Sequence, residues 1–102
     1  TVNDFMALRV IKVLTEMGKT PLEDYQIIGF DGLRPAFDQP YLLSTIVQEI
    51  AQMAQAAVEL LLKLIRQEKI EKNVISLPVH FFEGNTTKKN YKKCLTNYEA
   101  LL

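Results

Sequence analysis

The sequence predicts an α/β fold in which a parallel sheet carries flanking helices. Three observations lead there. A helical pattern over Phe5–Met17 runs, through a short connection, into the apolar segment Tyr25–Phe30. Two further strand-like segments follow, Leu42–Val47 and Val74–Phe82. Between them lies the longest helical pattern of the chain, Gln48–Lys69.

Each element has its own cause. Thr1–Asn3 supply capping side chains and Asp4 suits the positive first turn of a helix. Ala7, Val10, Ile11 and Leu14 then form one stripe, with Met6, Val13 and Met17 beside it. So few polar positions remain that other structure is expected to cover most of this helix. Gly18 stops it and Pro21 lies just beyond. Tyr25–Phe30 is a short apolar run bounded by acidic and glycine residues, the pattern of a buried parallel strand. Gly32–Tyr41, with two prolines, reads as a loop leaving the end of that strand.

Leu42–Val47 reads as the second strand. In the helix Gln48–Lys69, residues Ile50, Met53, Ala54, Ala57, Leu60, Leu61, Leu64 and Ile65 keep helical spacing. Val74–Phe82 is the third strand, and Pro78, which cannot donate to a ladder, places it at an edge or makes it irregular. Residues 1–87 form one unit. Residues 88–102 form a lysine-rich tail in which Tyr91, Leu95, Tyr98 and Leu102 recur at the spacing of a short helix.

Composition narrows the function classes. The chain has 102 residues, 12 Lys+Arg and 12 Asp+Glu, with 48% hydrophobic and 24% charged residues. That is ordinary globular composition with no net charge, so a dedicated nucleic-acid-binding surface is not expected within it. Cys94, the single cysteine, cannot form an internal disulfide. No stretch reaches the roughly 18 apolar residues of a membrane span, and no signal peptide opens the chain. Thr1 leads directly into a helix start, so the sequence reads as the tail of a longer protein.

Three polar residues are singled out, one of them where ligands bind in open α/β sheets and the other two ordinary when read alone. Asn3 sits at a helix start, where capping is the ordinary role, but its amide offers both a donor and an acceptor. Asp31 lies just past the carboxyl end of Tyr25–Phe30, the region where open α/β sheets take ligands. A loop aspartate bonding its own turn is the equal alternative there. Gln48 stands where the second strand passes into the long helix. His80 lacks ligand partners at metal spacing, and Cys94 lacks a neighbouring base. Neither a phosphate-binding glycine loop nor a nucleophile elbow is present. Lys88, Lys89, Lys92 and Lys93 read as a solvated face.

Longer motifs add a resemblance. NDFMALRVIKVLTEMGKTPLEDYQIIGFDG, then PYLLSTIVQ, then LPVHFFEGNTT resemble, in order and spacing, the LacI/GalR family of bacterial transcription regulators. The resemblance spans Thr1–Thr87. It implies a type I periplasmic-binding-protein-like core of two lobes, of which this chain is the C-terminal part. Thr1–Thr45 would run through the C-terminal lobe, Gln48–Lys69 would cross to the other lobe, and Val74–Phe82 would return. Asn3, Asp31 and Gln48 match family positions that contact the effector. Gly84 stands where the family often has arginine.

The implied function is sensing of a small effector, a sugar or sugar phosphate, by a cytoplasmic repressor. Operator DNA would be read through a head outside this chain. A homodimer formed partly by Phe5–Met17 is implied, and no catalysis, metal or cofactor. The first alternative is an exported sugar-binding protein with the same fold. A self-standing enzyme or interaction domain is the second, with no nucleophile–base pair or metal site to support it.

Overall fold

A computed structural model describes residues 1–33, 41–72, 74–88 and 99–101. Its elements are α1 (Asp4–Glu16), β1 (Ile28–Asp31), β2 (Ser44–Gln48), α2 (Ile50–Ile65), β3 (Ser76–Phe82) and β4 (Glu99–Leu101). The strands form one sheet in the order β1-β2-β3-β4. β1 and β2 pair in parallel, Gly29 opposite Thr45 and Asp31 opposite Val47. β3 pairs antiparallel with β2, and β4 antiparallel with β3. The sheet is therefore mixed, with its parallel part confined to β1–β2.

α1 begins as its cap dictates. Asn3 Oδ1 accepts from the Met6 backbone N–H at 2.8 Å, satisfying one of the orphan donors of the first turn. Ala7, Leu8 and Ile11 pack with Ile27 into the main core, against Tyr25, Tyr41 and Leu43. The rest of the expected apolar surface of α1 is not covered: Met6, Val10, Val13 and Met17 are exposed. A helix lying on a sheet edge buries one stripe, and the residues beside that stripe stay in water.

Polar residues hold β1 and β2 together from behind. Thr86 is fully buried. Its Oγ1 donates to the Ile27 carbonyl at 2.8 Å and accepts from the Ser44 N–H at 2.9 Å. Ser44 Oγ lies 2.7 Å from Thr87 Oγ1 and accepts from the Gly84 N–H at 3.0 Å. Asn85 takes the Leu42 N–H at 2.7 Å through Oδ1. Gly84 passes so close to the Leu42 carbonyl that any Cβ there would collide with it. The glycine in place of the family's frequent arginine is thus what this backbone path admits.

α2 stands apart. None of its residues is buried, and Ile50, Val58, Leu61, Leu64 and Ile65 are each at least half exposed. The Cα radius of gyration is 17.5 Å, against about 13 Å for a compact domain of this length. The apolar stripe seen in the sequence is present, but it meets no partner among the described residues.

β3 resolves the question of Pro78. Only Val79–Phe82 face β2, so Pro78 lies one residue beyond that ladder, where no bond to β2 is required of it. On its other side Ser76–Pro78 pair with β4. Glu99–Leu101 are therefore strand, where the spacing predicted helix. The overhanging backbone of β3 offers unpaired groups that a short extended segment satisfies. The remaining tail residues through Tyr98 from Lys89, Cys94 among them, lie outside the described residues.

Candidate functional site

Two of the three residues singled out in the sequence meet directly. Gln48 Nε2 donates to Asp31 Oδ1 at 2.7 Å. Asp31 is the last residue of β1 and Gln48 the last of β2, so the pair marks the carboxyl end of the parallel strands. Neither lies quite where the sequence placed it: Asp31 ends its strand rather than following it, and Gln48 belongs to β2 rather than to the long helix.

Asp31 has φ +113°, inside the region that L residues other than Asn and Asp rarely visit. Such a conformation costs of order 1–3 kcal/mol and persists where surrounding structure enforces it. Aspartate tolerates it better than a branched residue does. Among the described residues the Gln48 bond is the one hydrogen bond of the Asp31 carboxylate, so Oδ2 is open. Both side chains are half-buried. The pair therefore presents a carboxylate oxygen, an amide oxygen and a second amide N–H at one place. That set accepts from hydroxyls and donates to a ring or hydroxyl oxygen.

Asn3 performs the ordinary capping role with Oδ1. It also lies beside β1. The Thr1 backbone nitrogen donates to the Ile28 carbonyl at 2.8 Å, which lays the amino end of α1 along β1. Capping uses only one of the two functions of the amide; Nδ2 makes no hydrogen bond among the described residues.

Asp4 was read only as a favourable first-turn charge, and the structure gives it more. It is completely buried, and its Oδ1 accepts from Thr45 Oγ1 at 2.5 Å. Burial pushes its carboxyl above the ordinary carboxylate value, and the charge of Asp31 adds to that push. The Thr45 hydroxyl and the Leu33 and Gly32 amides act in the opposite sense. Oδ2 has no hydrogen-bond partner among the described residues. The signal for these polar residues was Ser44-Thr45 inside an otherwise apolar strand, since buried hydroxyls must find partners.

His80 lies in the exposed middle of β3 with Nδ1 3.5 Å from Glu49 Oε1. No cluster of three His, Cys, Asp or Glu side chains that could hold a metal occurs among the described residues. No helix among them is long and apolar enough to cross a membrane.

Comparison with known proteins identifies this architecture. Residues 1–87 match the periplasmic binding protein-like domain. The chain belongs to that family. The ribose operon repressor of Lactococcus lactis is 36% identical over 92 residues, covering 89% of this chain and 28% of the repressor. The ribose operon repressor of Bacillus subtilis is 34% identical, covering 85% of this chain and 27% of its own length. The transcriptional repressor PurR of Vibrio campbellii is also 34% identical, over 85% of this chain and 26% of its own. This chain thus spans little more than a quarter of these curated relatives, which are named as repressors. A solved periplasmic binding protein/LacI transcriptional regulator from Alkaliphilus metalliredigens, complexed with D-xylulofuranose, superposes with a TM-score of 0.66 at 31% identity. That match covers 85% of this chain and 33% of the other.

Proposed function

We propose that this chain is part of the effector-sensing core of a LacI-type transcription regulator, and that its effector is a small carbohydrate. The Asp31–Gln48 pair carries the reading. It places an open carboxylate oxygen beside an amide at the carboxyl end of the parallel strands, where ligands of α/β folds bind. Asn3 joins it with the donor that capping leaves over. The sugar bound by the solved neighbour and the ribose operon repressors among the relatives support a carbohydrate.

Gln48 also ends the strand that leads, through Glu49, into α2. A ligand held by Asp31 and Gln48 therefore grips the strand end from which α2 starts. An effector that binds one setting of that junction better than another shifts the population between them. A DNA-reading head elsewhere in the protein would receive that shift, and the repressor relatives support a cytoplasmic protein. The exposed Phe5, Met6, Val13 and Met17 along α1 support a homodimer through that helix.

An exported sugar-binding protein is the second reading, because the description of the solved neighbour names both classes. The repressor relatives favour the regulator. A thermal-shift screen of the full-length protein against D-ribose, D-xylulose and hexoses tests the ligand class. A ligand that binds the folded state at 100 times its Kd adds about 2.7 kcal/mol of stability. One sugar is expected to raise the melting temperature, and a flat response across all of them overturns the carbohydrate reading.

A further inference from the structure

Asp4 takes no part in the contacts proposed above, yet it occupies a costly place. Its carboxyl is completely buried, with one oxygen unpartnered among the described residues. A buried carboxyl in that condition lowers stability relative to an apolar or amide side chain of similar size. It therefore serves something other than the bare fold.

Its geometry indicates what. The carboxyl fills the space left by the missing side chain of Gly29, where any Cβ would collide with Asp4 Oδ1. The same oxygen takes the hydroxyl of Thr45. Gly29 and Thr45 face each other across β1 and β2. Asp4 thus fastens the amino end of α1 to both strands at a single rung. Two residues further along β1, the Asp31–Val47 rung closes the ladder. There the backbone turns to φ +113° and the Asp31 carboxylate meets Gln48. A strained residue needs rigid support close by, and the Asp4 clamp is a buried polar anchor two residues back along β1.

We propose that Asp4 is a positioning residue for the effector contact: through Thr45 and the Gly29 gap it fixes the end of β1, so that Asp31 keeps its left-handed conformation and stays on Gln48. The proposal rests on the reading of Asp31 and Gln48 as effector contacts. In that arrangement the fold supports the ligand carboxylate from beneath with a second carboxylate that the ligand never touches.

The test uses Asp4→Ala, Asp4→Asn and Thr45→Val in the full-length protein. The first readout is the NMR signals of the Asp31 backbone amide and the Gln48 side-chain amide, without ligand. The second is affinity for D-ribose. Asp4→Ala and Thr45→Val are expected to move both signals and to weaken D-ribose about tenfold. Asp4→Asn keeps an acceptor for Thr45 and is expected to retain both. Thr45→Val preserves shape, so it remains readable even if Asp4→Ala does not fold. Unmoved Asp31 and Gln48 signals in folded Thr45→Val overturn the proposal. A wild-type protein that ignores D-ribose counts against that sugar as effector, while the ligand-free spectra still judge the clamp.

Discussion

Replacing Thr86 with valine removes one hydroxyl and almost no volume, and it strikes the seam of the molecule. The Thr86 hydroxyl accepts from the Ser44 N–H at 2.9 Å and donates to the Ile27 carbonyl at 2.8 Å, in a site with no solvent exposure. Thr86→Val leaves both backbone groups without that partner. Each orphaned group costs about 1–3 kcal/mol. Burying a methyl in place of the hydroxyl returns about 0.8 kcal/mol. The net expectation is a loss of about 1–5 kcal/mol, a large part of the roughly 5–15 kcal/mol that folded domains possess. Urea unfolding of the full-length protein, followed by circular dichroism, measures it as a lower midpoint at unchanged slope. A loss below about 0.5 kcal/mol refutes the view that Thr86 ties β1 to β2.

Other expectations follow from the same geometry. Gly29→Ala drives a methyl into Asp4 Oδ1 and the Leu43 side chain, so a loss of at least about 1–3 kcal/mol is expected in the same unfolding assay. Asp4 has a raised folded-state carboxyl value, so its contribution to stability is complete below the unfolded value near 3.8 and is lost as pH rises through the raised one. Asp4→Asn should therefore gain on the wild type as pH rises above the unfolded value near 3.8, in paired denaturation curves. Asp24 has the opposite sign. The Thr20 N–H, at 2.8 Å, holds its carboxyl below the ordinary value, so its contribution is lost as pH falls through that lowered value. The exposed apolar face of α2 predicts that this chain alone self-associates in light scattering, and that Leu61→Glu with Leu64→Glu reduces the association.

Much of this was legible in the residues. The capping role of Asn3, the strand through Gly29 and Phe30, and the place of Asp31 at its carboxyl end follow from local rules that tertiary structure left standing. The Asp31–Gln48 contact was not derivable, because the two residues are brought together by the register of β1 on β2, which no local pattern encodes. The positive φ of Asp31 arises from packing and leaves no mark in sequence spacing. Asp4 and Thr86 were hidden for another reason. An acidic residue in a first turn and a threonine near a strand end are ordinary at the surface, and only burial turns them into structural polar links. α2 shows the converse limit: its stripe was read correctly as amphipathic, but amphipathicity reports a preference for burial, not the presence of a partner. In the tail, periodicity spoke for helix at Glu99–Leu101, where the overhanging backbone of β3 takes a strand instead.

The central claim is that Asp31 holds a carbohydrate effector at the end of β1. Calorimetric titration of the sugar selected by the thermal-shift screen into wild-type and Asp31→Ala full-length protein tests it most directly, with circular dichroism confirming that both are folded. The account predicts a measurable Kd for the wild type and no detectable binding heat for folded Asp31→Ala. Equal affinity in the two proteins would contradict it.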